Sequence, residues 1–233
     1  MLELRKSQER GRFELDWLKS SHTFSFGNYY DPRHMGFRSL RVINEDTVQP
    51  GGGFPPHGHR DMEIISYVTA GALEHKDSMK NGSIVRPGEI QYMRAGTGVT
   101  HSEYNASDDE EVKFLQIWLQ PNRRGGAPAY DQRTIDEAAR HNRLHLLASG
   151  DARDSAILLQ QDARLYTATL DPGSVLSYEI GAGRGAWVQV VRGAIELNGA
   201  TLGAGDGAAL EDTPKLDIVG KAPSELLVFD LGV

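Results

Sequence analysis

The sequence predicts an all-β protein: two tandem antiparallel β-barrels of jelly-roll type, joined by a linker that carries a short helix. Three observations lead there. Short runs that alternate apolar and polar residues recur between turn signals along most of the chain. The order of runs and turns in the first half is echoed in the second. Only the stretch 134–140 reads as a helix.

In chain order, residues 1–30 mix charges with a compact aromatic segment, Trp17, His22-Thr-Phe24-Ser-Phe26 and Asn28-Tyr29-Tyr30. Its alternation suits a half-buried strand or edge segment, with His22 and His34 outside any ligand set. Asp31-Pro32 and Met35-Gly36 read as turns, and Phe37 to Ile43 as a strand. Gly51-Gly-Gly-Phe-Pro-Pro56 permits close backbone approach and forbids a helix, so His57-Gly-His59 is expected to begin a strand at a barrel mouth. Asp61–Thr69, Leu73–Asp77, Ser83–Arg86, Glu89–Met93 and Val112–Leu119 continue the meander, with Lys80-Asn81-Gly82 as a hairpin turn. Pro121–Tyr130 reads as a connector. Thr134 to Arg140 resembles a helix with Thr134 as N-cap and Glu137 at the capping-box position. The expected domains are 1–130 and 151–233, with 131–150 as linker.

Further strands are expected at Ile157–Leu159, Arg164–Leu170, Val175–Ile180, Ala186–Val191, Ala194–Leu197 and Leu226–Leu231. Val188–Gly193 parallels Ser66–Gly71, Leu202–Asp206 parallels Val85–Glu89, and Leu226–Leu231 parallels Phe114–Trp118. The copies differ in chemistry, since no histidine follows His145. Metal chemistry is therefore expected only in the first copy.

Composition narrows the function. With 233 residues the chain can bury two small cores, and its net charge of −7 with scattered basic residues argues against direct nucleic-acid binding. No apolar run is long enough to span a membrane and no signal-peptide pattern opens the chain, so a cytoplasmic protein without membrane contact is expected. There is no cysteine, so a metal would be held by nitrogen and oxygen alone. No Ser-His-Asp order, phosphate loop or dinucleotide fingerprint is present.

The chemistry lies in His57-x-His59 and His101-x-Glu103. In an extended chain residues i and i+2 share a face, so each pair projects one way. Three imidazoles and a carboxylate suit a divalent transition metal with open positions. Glu63 has the parity of His57 and His59 and is the other candidate carboxylate. His75 and Asp77 also share a face, and structural hydrogen bonding is expected of them. Phe54, Met62, Tyr92, Met93 and Trp118 could wall a pocket, although core packing is the better explanation for any one of them.

Gly51-x5-His57-x-His59-x3-Glu63, Gly71 and Gly98-x2-His101-x3-Asn105 resemble the two motifs of the cupin superfamily. Seven residues rather than six separate Glu63 from Gly71, and Pro87-Gly88 is displaced from the second motif. His22-Thr-Phe-Ser-Phe26, Tyr92-Met93-x-Ala95-Gly96-x-Gly98 and Leu115-Gln116-x-Trp118 narrow the resemblance to the pirin family, bicupins that include bacterial quercetinase-type members. The likeness is strongest over residues 15–120.

The resemblance implies a metal held by His57, His59, His101 and Glu103, with Glu63 in a supporting role. Iron(II) is the implied metal, while manganese, cobalt, nickel, copper or zinc would also suit the ligands. It further implies a flavonol substrate bound through its deprotonated 3-hydroxyl, cleavage by dioxygen between carbons 2 and 3, and loss of carbon monoxide. Glu103, or Glu63 if the two carboxylates exchange roles, would be the catalytic proton acceptor. The alternative is a metal-binding regulatory protein that docks on a transcription factor or enzyme without catalysis. A monomer is expected, because two barrels in one chain remove one reason to dimerise.

Overall fold

Twenty-two strands, one short α-helix and two 3-10 turns make up the computed structural model, which describes residues 1–233. The chain opens with β1 (Leu2–Arg5). The next strands are β2 (Gly11–Leu15), β3 (Leu18–His22), β4 (Leu40–Val48), β5 (Gly53–His59), β6 (Glu63–Ala70) and β7 (Leu73–Asp77). They are followed by β8 (Gly82–Val85), β9 (Glu89–Arg94), β10 (Val99–Asn105), β11 (Val112–Leu119) and β12 (Ala129–Thr134). After helix α1 (Glu137–Arg140) come β13 (His145–Ser149), β14 (Ile157–Leu158), β15 (Ala163–Leu170), β16 (Val175–Glu179) and β17 (Gly185–Arg192). The last are β18 (Ala194–Leu197), β19 (Ala200–Gly203), β20 (Gly207–Leu210), β21 (Lys215–Gly220) and β22 (Ser224–Leu231). No helix is long and apolar enough to cross a membrane.

The strands form two compact units, each a seven-stranded sheet with a four-stranded one. In the first the orders are β12-β9-β6-β11-β4-β3-β2 and β5-β10-β7-β8. In the second they are β1-β20-β17-β22-β15-β13-β14 and β16-β21-β18-β19. Position by position the orders correspond, as the sequence echoes require: β6 with β17, β9 with β20, and β11 with β22. The units are not contiguous in sequence. Met1–Arg10 and Phe37–Ser39 group with Asp136–Val233, and the rest forms the first unit, whereas the sequence reading placed all of 1–130 in one domain. The reason for the first segment is hydrogen bonding: β1 pairs with β20, Leu4 opposite Ala208, and supplies the edge that β12 supplies in the first unit.

Several local expectations change. The strand expected from Phe37 begins only at Leu40, because Arg38 has φ 52° and its guanidinium is held by Glu211 and by the Gly183 and Leu231 carbonyls. The helix cap is Asp136, which accepts from the Ala138 and Ala139 amides. Thr134 cannot be the cap because it still pairs with Glu89 in the β12–β9 ladder. Strand β5 starts at Gly53, earlier than expected, and carries both histidines at its far end.

Within the first unit one rung of side chains crosses the large sheet in register: His22, Asn44, Gln116, Ser66, Gln91 and Gln132. The first five of these are buried. The corresponding rung of the second unit is Leu146, Tyr166, Val228, Val188, Ala208 and Leu4. Tyr166, Val228, Val188, Ala208 and Leu4 belong to or pack on that unit's apolar core. One barrel is thus filled with hydrocarbon, and the other keeps a polar interior.

Gly53 shows how tightly β5 lies on β10. A Cβ there would sit 2.6 Å from the Glu103 carbonyl oxygen and would overlap the Tyr104 ring. Gly53→Ala is expected to cost about 1–3 kcal/mol in chemical denaturation, through forced displacement of these strands.

Candidate metal centre

The small sheet β5-β10-β7 builds the site. His57 lies opposite His101 across β5–β10, and His101 lies opposite Asp77 across β10–β7. Two residues on, Glu103 lies opposite His75. Strand β10 alternates cleanly, with Val99, His101, Glu103 and Asn105 buried and the residues between them more open. The parity read from the sequence therefore holds, with His57, His59, His75, Asp77, His101 and Glu103 on one face. The β5–β10 register shifts between His101 and Glu103, so the two strands pair differently on either side of the site.

Three imidazoles converge. Ring centroids are 4.7 Å apart for His57–His59, 4.5 Å for His57–His101 and 4.8 Å for His59–His101. The Nε2 atoms of His59 and His101 are 2.9 Å apart. His57 donates its Nδ1–H to the Pro55 carbonyl at 2.8 Å, which leaves its Nε2 lone pair free. Burial, reinforced by the neighbouring imidazoles, lowers the pKa of His59 to about 4 and that of His101 to about 3. Near neutral pH both rings are therefore unprotonated, the form that ligates metals.

The carboxylates separate clearly. Glu103 forms a compact group with His101 and His75, and that group shares His101 with the three-histidine group. Its oxygens accept from Ser66 Oγ at 2.9 Å and Gln116 Nε2 at 2.8 Å. Glu63 is fully buried elsewhere and accepts from the Tyr92 hydroxyl at 2.5 Å, and burial together with that carboxylate raises the Tyr92 pKa. His75 and Asp77 are hydrogen-bonded to each other at 3.1 Å. Burial alone would raise the Asp77 pKa, but hydrogen bonds from Asn81 and His75 hold it below the ordinary carboxylate value.

A cavity of about 450 Å³ opens on the centre. Phe13, Phe26, Phe54, Ile64 and Trp118 give it apolar walls, and Ser20, His22, Asn44, Asp46 and Gln116 make a polar side. Trp118 sets its edge against His59, at 5.0 Å between centroids. Asn44 Oδ1, Gln116 Oε1 and Trp118 Nε1 are buried without a hydrogen-bond partner in the chain. Burial, followed by the weaker influence of Glu103, raises the Asp46 pKa to about 7 despite a hydrogen bond from Ser20. Of the sequence-nominated wall residues, Phe54 and Trp118 line the cavity, while Met62 and Met93 pack with Ile64 and Val99. Sequence reading missed Ser20, Asn44 and Asp46, whose only signal is a polar residue at a buried strand position, and named Gln116 only within a family motif.

Comparison with known proteins identifies the family. The pirin family profile matches residues 3–119, and the profile described as a quercetinase C-terminal cupin domain matches residues 146–231. The chain belongs to the pirin family. It is 46% identical over 231 residues to a protein of Escherichia coli K12 named quercetin 2,3-dioxygenase, covering 99% of both chains. It is 38% identical to a pirin-like protein of Caulobacter vibrioides, again over 99% of both. Among solved structures, the E. coli pirin YhhW superposes with a TM-score of 0.97 at 45% identity, and its complex with nickel(II) with 0.95 at 44%. In each case 100% of this chain and 99% of the other are covered. The donor set of this pirin, neutral imidazoles with a buried carboxylate beside them, suits a divalent transition metal.

Two outcomes test the centre. Nickel(II) at about 100 times its dissociation constant should stabilise the protein by about 2.7 kcal/mol, read as a rise in melting temperature that a chelator reverses. Asp46 has a folded-state pKa above its unfolded value, so its contribution is fully present below about pH 3.8 and is lost as pH rises through about 7. Stability curves should accordingly show Asp46→Asn gaining on wild type as pH is raised from 4 to 8.

Proposed function

We propose that this pirin is a metal-dependent dioxygenase that opens a flavonol ring with dioxygen and releases carbon monoxide. The observation that carries the reading is the convergence of the His57, His59 and His101 imidazoles beside a cavity walled by aromatic rings, which His57, His59 and Glu103 line. The name of the E. coli relative supports the same reaction class.

His57, His59, His101 and Glu103 are the proposed ligands, with iron(II) as the working metal. When bound, the metal supplies Lewis acidity toward a substrate oxyanion and redox access to dioxygen. The remaining work falls to the chain. Phe13, Phe26, Phe54 and Trp118 hold a planar ring system and exclude water. Asn44 Oδ1 and Gln116 Oε1 are acceptors for hydroxyl groups, and the Trp118 Nε1–H is a donor for a carbonyl. Glu103 takes the proton of the substrate's 3-hydroxyl, its carboxylate aimed by Ser66 and Gln116. The reaction is proposed for a single chain, because both groups of candidate ligands and the cavity lie within the first unit.

Anaerobic reconstitution with each metal, followed by quercetin and air, should give oxygen uptake and carbon monoxide only where a redox-capable ion is loaded. A chain that binds metal and quercetin yet consumes no oxygen would refute the dioxygenase reading. Metal analysis of two variants should separate the carboxylates. Glu103→Ala is expected to lose metal during dialysis, and Glu63→Ala to keep it.

A further inference from the structure

Behind His101, on the side away from His59, lies a second buried histidine that the proposed reaction does not use. His101 Nδ1 is 3.4 Å from His75 Nδ1, and His75 Nε2 is 3.1 Å from Asp77 Oδ2. The side chains of His75 and Asp77 are completely buried. Asp77 is itself fixed: Oδ1 accepts from the Met79 and Asn81 backbone amides at 2.9 and 3.0 Å, and Oδ2 from Asn81 Nδ2 at 2.9 Å.

The proton positions follow from the ends of this chain. A carboxylate only accepts, so His75 Nε2 carries the proton, which in a neutral imidazole leaves Nδ1 as the acceptor. The Gln91 amide nitrogen, 3.4 Å from the same Nδ1, points a second donor at it. His101 must then carry its own proton on Nδ1. Its Nε2 is left with a bare lone pair directed toward His59.

We propose that Asp77 and His75 are positioning residues that lock His101 in the tautomer whose Nε2 faces the metal. The inference rests on the metal reading of the three-histidine group and adds to it a relay running Asp77, His75, His101. Strand pairing makes the relay rigid. Asp77 lies opposite His101 and His75 opposite Glu103 in one antiparallel ladder, which fixes the backbone positions from which the three side chains project. His75 stands in the second compact group with His101 and Glu103, but its two nitrogens are committed to Asp77 and His101, which assigns it to support of a ligand instead of ligation. Outer-shell partners of this kind hold the ring in place and raise its basicity.

Three measurements test this. In the wild-type apoprotein, long-range ¹H–¹⁵N correlation spectra of the histidine rings should show His101 protonated on Nδ1 and His75 on Nε2. A His101 ring protonated on Nε2 would overturn the inference, whatever any variant does. In nickel(II) titrations, His75→Phe keeps the ring shape but removes the acceptor and should weaken binding about 10- to 100-fold. His75→Asn puts an acceptor oxygen where Nδ1 stood and should bring affinity back close to wild type. Equal binding by wild type and His75→Phe, or equal loss in both variants, would overturn the relay while leaving the metal reading standing. A wild-type chain that binds no nickel would overturn both.

Discussion

The antiparallel register of β5, β10 and β7 is the constraint on which the rest of the first unit depends. Strand side chains alternate with a period of two, so a slip of one residue in β10 would turn His101 and Glu103 outward and bring Thr100 and Ser102 in. A slip of two would keep the face but move His101 away from His57 and Asp77. The large sheet makes such slips costly as well. Its polar rung meets the site at fixed points, through Ser66 and Gln116 on Glu103 and through Gln91 on His75. A shift of either sheet would break these contacts and leave buried polar groups without their partners.

Keeping imidazoles and a carboxylate in a barrel interior costs free energy, and the two units meet that cost differently. In the second, β16, β21 and β18 bring Leu176, Ile218 and Leu197 into one row, and burial of this kind stabilises directly. In the first, His59 and His101 stay neutral, because buried charge is more expensive than a lost proton. Glu103 has donors on both oxygens. The same backbone arrangement thus supports a hydrocarbon core and a polar candidate metal centre, distinguished by which side chains occupy equivalent rungs.

Much of this was legible in the sequence. His57-x-His59 and His101-x-Glu103 have the parity of strand residues, and the echoed runs of the second half correspond to the second set of sheets. What escaped depends on long-range pairing. Asn44 and Gln116 are ordinary polar residues until β4 and β11 are laid side by side, and Asp46 looks like any acidic strand residue until its burial is seen. His75 and Asp77 were expected to form structural hydrogen bonds, and they do, but only the cross-strand register reveals that their partner is a candidate ligand. Arg38 was unreadable for a similar reason, since its contacts lie far along the chain.

Strand β1 has a bearing on how the chain reaches this fold. It is made before every other strand of the two units, yet it pairs with β20, Leu4 waiting for Ala208. The first unit has no such debt apart from its own strands, all of which are complete once β12 has emerged. Synthesis from the N-terminus therefore favours early closure of the barrel that holds the candidate metal centre, while β1 must stay unpaired until β20 has been made. The second barrel then closes around a strand that was made long before it.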